Sequence, residues 1–137
     1  MGKNLKLAVC VDDSGGMLFA GKRQSRDRVL ISELVDTTDG HIYVTGFSEY
    51  LFREHERKVR VVDNPFATAP DGATIFIENL DISPHEDLIG EILLYKWNER
   101  YPADKIIDIN LRDYRVVAKK EFAGSSHEKI TKLRLKR

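Results

Sequence analysis

"EILLYKWNERYPADKIIDINL", residues 91–111, decides how this chain folds. Its first seven residues are mostly apolar and can either prolong a preceding helix or form a buried strand, because periodicity alone does not separate the two. Gly90 interrupts helical propagation just before the run, so the stretch reads as a strand. After the polar "NERYPAD", the segment "KIIDINL" reads as another strand. Strands here, alternating with helical patterns upstream, place the chain in the α/β class.

Working outward, "LKLAVCV" at 5–11 is apolar on both faces and reads as a central strand that ends at the turn "DDSGG". From Ser25 a helix is expected, with Leu30, Ile31, Leu34 and Val35 on one stripe, Asp27 in its first turn and Gly40 beyond its end. "HIYVT" is a strand, "FSEYLFREHERK" a short helix with Phe47, Tyr50, Leu51 and Glu54 at helical spacing, and "VRVV" a strand. "DNPFATAPDG" reads as a surface loop and "ATIFIEN" as a strand. "SPHE" at 83–86 has the capping-box pattern with proline at the first helical position, which predicts a short helix stopping at Gly90. "YRVVAKKEFAG" and "KITKLRLKR" form a hairpin through "GSSHE". The expectation is a single α/β domain over residues 1–137: a mixed sheet, short flanking helices and a C-terminal antiparallel hairpin.

The 137 residues are 42% hydrophobic and 32% charged, with 22 basic and 22 acidic side chains. That is the composition of a soluble globular protein with no net field toward nucleic acid or membrane. The single cysteine, Cys10, lies in the first strand and reads as a core thiol; with no disulfide possible within the chain, a reducing compartment fits. "MGKNLK" has no apolar signal region, and no run reaches the roughly 18 apolar residues of a spanning helix, so a cytoplasmic protein is expected.

Several groups carry chemistry. Asp12 and Asp13 can act as paired carboxylates for a metal or a proton, although turn acids accepting backbone hydrogen bonds are the commoner arrangement. "GGMLFAGK" lacks the spacing of a phosphate-binding P-loop. "GKRQSRDR" sets Lys22, Arg23, Arg26 and Arg28 at the start of a helix, where exposed amides and planar guanidinium groups favour an anion; a solvated, acid-paired first turn is the competing reading. Tyr95, Trp97 and Tyr101 can stack on a planar ring or fill core space. Lys132, Arg134 and Lys136 make one basic strand face, a pattern that more often protects an outer strand than binds nucleic acid. His127 and Glu128 read as turn residues, and a lone histidine is no triad.

The order of elements resembles dihydrofolate reductase. "LAVCVDDSGGM" is similar to that family's first strand and mobile loop, and "IYVTGFSEYL" to the strand and glycine that open its second helix. "EILLYKWNERYPADKIIDINL" is similar to its strand, cofactor turn, helix and next strand, and "EFAGSSHEKITKLRLKR" to its last hairpin. The resemblance implies a folate-binding acid on the first helix, to which Asp27 is nearest, and a glycine after the second strand, Gly46. It also implies an eroded cofactor site. Tyr95, Lys96, Trp97 and Asn98 stand where the family's glycines let the backbone approach a pyrophosphate, and Phe47 replaces the basic residue after Gly46. "VDDSGGMLF" with "RQSRDR" is also similar to short bacterial proteins that carry a ribonuclease Z label. An enzyme of that name needs histidines and aspartates clustered around two zinc ions, whereas His41, His55, His85 and His127 are scattered singly.

These readings combine into a protein that binds a nucleotide-like ligand or a protein partner in a cleft between "GGMLFAGKRQSRDR" and "YKWN", without reductase activity. Asp12, Asp13, Gly16, Arg23, Arg26, Gly46, Tyr95 and Trp97 are the expected ligand-binding residues and Asp27 the candidate catalytic one; no metal is expected and the cofactor is not named. The alternatives are a divergent reductase, with Asp27 assisting protonation of a pterin-like substrate, and a small nucleic-acid module or nuclease using the basic hairpin. Exposed strand edges are compatible with a homodimer.

Overall fold

The computed structural model describes residues 3–137. A seven-stranded sheet forms its frame, in the order β5-β4-β6-β1-β7-β10-β9. These strands are β1 (Leu5–Val11), β4 (Ile42–Val44), β5 (Val59–Val61), β6 (Thr74–Phe76), β7 (Ile89–Lys96), β9 (Arg115–Phe122) and β10 (Ile130–Lys136). The first five in spatial order run parallel, and β10 and β9 close the sheet as the expected antiparallel hairpin. The architecture is the mixed α/β one anticipated.

Alternation along β1 and β7 divides the core into two layers. Leu5, Leu7, Val9 and Val11 join Ile92 and Leu94 on one face, where Phe66, Ile75, Ile77 and Ile82 complete the packing. Ala8, Leu93, Tyr95 and Trp97 face the other way, beneath Leu30, Ile31 and Leu34 of helix α1 (Arg28–Thr37). The segment 91–96 is therefore strand, and because β7 begins at Ile89, Gly90 lies inside the strand rather than before it. Cys10 is half-buried in the α1 layer. Burial, followed by the nearby Glu78 and Asp27 charges, raises its thiol pKa, which suits an inert packing residue.

Several local expectations are corrected. Residues 16–23 are a hairpin rather than a loop: β2 (Gly16–Phe19) and β3 (Lys22–Arg23) pair, with β8 (Lys105–Ile106), in a small second sheet. Phe19 opposes Lys22 across a two-residue turn whose members, Ala20 and Gly21, have φ of 52° and 73°. Mirror-image turns of this kind match strand twist, but alanine hides the usual Asn-Gly signature. "KIIDINL" contributes only the two residues of β8.

"DNPFATAPDG" is not a plain surface loop. Asn64 caps a single turn, α2 (Pro65–Thr68), by accepting from Phe66 N, and Phe66 and Ala69 are fully buried. "SPHE" forms a 3-10 turn, Ser83–Leu88, without the capping box; Asp108, from a distant segment, accepts from Ile82 N and Ser83 N instead. The "FSEYLFREHERK" helix shrinks to the 3-10 turn Glu49–Phe52. The first helix starts three residues later than expected, at Arg28, with Asp27 as its N-cap.

Candidate functional site

In a parallel sheet, ligands bind outside the carboxyl ends of the strands where the connections diverge to either side. Here that point is β1, flanked by β6 and β7. Side chains bridge the crevice between the ends of β4 and β6. Arg23 grips Glu78 through Nε and Nη2 at 3.0 and 2.9 Å, donates to the Phe47 carbonyl at 2.8 Å and lies 4.9 Å from the Phe47 ring centre. Ser48 Oγ adds a 2.7 Å bond to Glu78. Arg23 thus points into the crevice with its guanidinium committed to the protein. Gly46 is exposed beside it, and a Cβ added there would meet no neighbouring atom within 4 Å.

Asp12 and Asp13 do not form a pair. Asp12 is buried and accepts from Ser14 N, Gly16 N and Tyr101 N at 2.7–3.0 Å, and from Gln24 Nε2 at 3.3 Å. Burial pushes its pKa up, and the Tyr101, Gly16 and Ser14 hydrogen bonds overcome that, leaving the carboxyl below its ordinary value. Asp13 is exposed. A Cβ on Gly16 would stand 2.5 Å from Ala103 Cβ, so the glycine allows the 99–104 segment to close on β2.

The densest polar cluster centres on Asp27. Its Oδ1 accepts from Val29 N and Leu30 N at the start of α1, and also from Ser125 N at 2.9 Å. Its Oδ2 accepts from Ser126 N at 2.8 Å and lies 3.1 Å from His127 Nδ1. One carboxylate thereby caps α1 and gathers the tip of the β9–β10 hairpin. Burial works to raise the Asp27 pKa, but the Ser125 and Ser126 amides, His127 and Leu30 N drive it far below the usual carboxylate range. His127 Nε2 in turn contacts Ser25 Oγ at 3.1 Å and Tyr101 OH at 3.0 Å, while Trp97 stacks on the imidazole at 4.6 Å between ring centres. His127 therefore lies in the hairpin connection, as expected, and its buried ring braces the core as well. The sequence signal was the small-residue tip "GSSH", whose free amides suit a carboxylate.

Tyr95 is buried beneath α1 and its hydroxyl donates to Glu33. Tyr95 and Trp97 belong to packing and hydrogen-bond networks, at the end of a central strand rather than in an open turn. The structure thus brings Asp27, Trp97 and Tyr101 around His127 and leaves Tyr95, Arg23 and Gly46 apart from them.

A cleft of about 230 Å³ opens between the amino end of α1 and the segment 51–55. Arg26, Arg28, Arg53 and His55 surround it, Ile31 and Leu51 supply apolar wall, and Ser125 and Ser126 lie at its inner end. Arg26 and Arg53 approach the Tyr50 ring at 5.8 and 4.2 Å, and Tyr50 is 52% exposed. Arg53 and His55 carry no distinguishing signal in the sequence, because they reach this cleft only through the turn at 49–52. Among the described residues, no three His, Cys, Asp or Glu side chains gather as a metal site, and no helix is long and apolar enough to cross a membrane.

No family model matches the chain, and no curated protein matches it in sequence. Its structure is similar to dihydrofolate reductase from Enterococcus faecalis, solved with NADP(H) and RAB-propyl, with a TM-score of 0.67 over 98% of this chain and 96% of that one at 12% identity. The chain has a dihydrofolate reductase-like fold.

Proposed function

We propose that this protein binds a small anionic ligand of nucleotide-like chemistry in the cleft at the amino end of α1, and that it does so without hydride transfer. The observation that carries this reading is the convergence of Arg26, Arg28 and Arg53 on one concave site with an exposed aromatic ring beside it. Guanidinium groups recognise phosphate or carboxylate through two parallel hydrogen bonds, and the Tyr50 ring beside the cleft holds the Arg53 and Arg26 guanidinium groups over its face. Glu54 is the acid on the rim; the Asp27 charge is already taken up by hydrogen bonds.

Two features speak against a reductase. A proton donor works best with a pKa near the working pH, whereas Asp27 is held ionised and its side chain is fully enclosed. The Arg23 guanidinium beside the ends of β4 and β6 is also committed to Glu78 and the Phe47 carbonyl rather than free for a cofactor phosphate. The nucleic-acid alternative gains little support, since Lys132, Arg134 and Lys136 are each paired with Glu33 or Glu91.

Thermal unfolding against nucleoside mono- and diphosphates, NADPH, NADH and folates tests the reading. A ligand at about one hundred times its Kd adds roughly 2.7 kcal/mol. The expected result is stabilisation by nucleoside phosphates that Arg53→Ala removes, with no oxidation of NADPH in the presence of a dihydropterin. Oxidation of NADPH would restore the reductase reading. Indifference to every member of the panel would remove the ligand reading in favour of a protein partner.

A further inference from the structure

Ser25 Oγ lies 3.1 Å from His127 Nε2, and His127 Nδ1 lies 3.1 Å from Asp27 Oδ2. A hydroxyl, an imidazole and a carboxylate are thus joined in series, an arrangement recognised by geometry and roles and not by position in the sequence. The spacing of the residues hides it, because His127 comes from the hairpin connection and Ser25 from the segment that leads into α1.

Each member is held in the state such a relay requires. The Asp27 carboxyl is enclosed, and the amides of Val29, Leu30, Ser125 and Ser126 donate to its two oxygens. An ionised carboxylate only accepts, so Nδ1 of His127 carries the hydrogen that faces Asp27, and Nε2 of the neutral ring turns its lone pair toward Ser25. Trp97, stacked at 4.6 Å between ring centres, fixes the plane of the imidazole. Ser25 is half-buried, so the series ends at the border of the core rather than inside it. The amides of Ser25 and Arg26 enter no hydrogen bond among the described residues, which leaves two donors next to the hydroxyl for a developing negative charge. A purely structural histidine needs one partner on each nitrogen, yet two hydroxyls address the single lone pair of Nε2: Ser25 at 3.1 Å and Tyr101 at 3.0 Å.

We propose that Ser25 is the nucleophile of an ester-hydrolysing site, with His127 as its general base and Asp27 as the residue that positions the imidazole. Ser25 Oγ bonds to the carbonyl carbon of a carboxylic ester while its proton passes to His127 Nε2. The adduct collapses with cleavage of the ester C–O bond, and the departing alkoxide takes the proton back from Nε2. Water then repeats both steps on the acyl-serine, which releases the carboxylic acid and restores the hydroxyl. The inference goes beyond the anion-binding reading and does not rest on it, since Ser25, Tyr101 and His127 line no part of the arginine cleft.

Labelling of the full chain with an alkyl fluorophosphonate, read by mass spectrometry and peptide mapping, tests this without knowledge of the natural ester. In the labelling step Ser25 Oγ forms a P–O bond, fluoride leaves, and His127 takes the proton. The expected result is one adduct, on Ser25, that is absent from the heat-denatured chain and forms at the parent's rate in Arg53→Ala. His127→Gln should slow it about a hundredfold or more. Tyr101→Phe, which frees the Nε2 lone pair for Ser25, should speed it; this variant keeps the test decisive if His127→Gln does not fold. No adduct on Ser25, an adduct on Ser125, Ser126 or Tyr101 in its place, or equal labelling of the denatured chain would overturn the inference. So would a Ser25 adduct that forms as fast in folded His127→Gln, or no faster in Tyr101→Phe, than in the parent.

Discussion

Asp27 Oδ2 lies 3.1 Å from His127 Nδ1, joining positions one hundred residues apart, with the two side chains 0% and 2% exposed. The contact locks the amino end of α1 to the hairpin that closes the sheet. Asp27→Ala removes an N-cap worth about 1 kcal/mol and takes the acceptor from the partly buried amides of Ser125 and Ser126, at about 1–2 kcal/mol. Chemical denaturation should show a loss of about 2–3 kcal/mol with a nearly unchanged denaturant slope. A loss below about 1 kcal/mol would mean that the clamp is replaceable.

The same carboxylate sets an acid limit. Its folded-state pKa is depressed, so its contribution is complete above the ordinary aspartate value of about 3.9 and disappears as pH falls toward the folded-state value. Asp12, Glu33 and Asp108 are shifted in the same direction and add to the slope. Unfolding free energy should therefore fall steeply below about pH 4, and less steeply in Asp27→Asn. Equal slopes for the two proteins would place the titrating groups elsewhere.

Gly124 admits the clamp. A Cβ there would lie 2.3 Å from Asp27 Oδ2 and 2.8 Å from Ile130 Cδ1. Gly124→Ala should displace the carboxylate and destabilise the fold by about 1–3 kcal/mol, as overpacking does. Ser125 and Ser126 amide signals should move in a heteronuclear NMR spectrum; a variant as stable as the parent, with those signals in place, would contradict the packing account.

Arg23→Ala should release Glu78 and open the crevice between the ends of β4 and β6. The pair is partly screened by solvent, at 22% and 11% side-chain exposure, so the expected stability loss is only about 1 kcal/mol. The informative readout is NADPH affinity. If the bridge is what blocks the crevice, the variant should bind NADPH at least as well as the parent. Weaker binding would assign Arg23 a direct role in holding it.

What could be read in the sequence was governed by range. The β1 and β7 strands, the Leu30–Leu34 stripe and the β9–β10 hairpin announce themselves through periods contained within each segment. The β2–β3 hairpin was hidden because Ala20 takes a left-handed position normally signalled by asparagine or glycine. "SPHE" failed as a capping box because Asp108, some 25 residues away, supplies the acceptor. The site followed the same rule. Asp27 was visible as an acid at a helix start, but Ser125, Ser126 and His127 reach it only through the closure of the hairpin, and Arg53 reaches the cleft only through the turn that follows β4.

Calorimetric titration of a nucleoside diphosphate into the parent protein and Arg53→Ala is the most direct test of the central claim, that the cleft at the amino end of α1 holds a nucleotide-like anion. The account predicts saturable binding to the parent, weakened about tenfold or more in the variant, with thermal stability retained and no redox chemistry in either. Absence of binding to the parent, or equal affinity in both proteins, would contradict it.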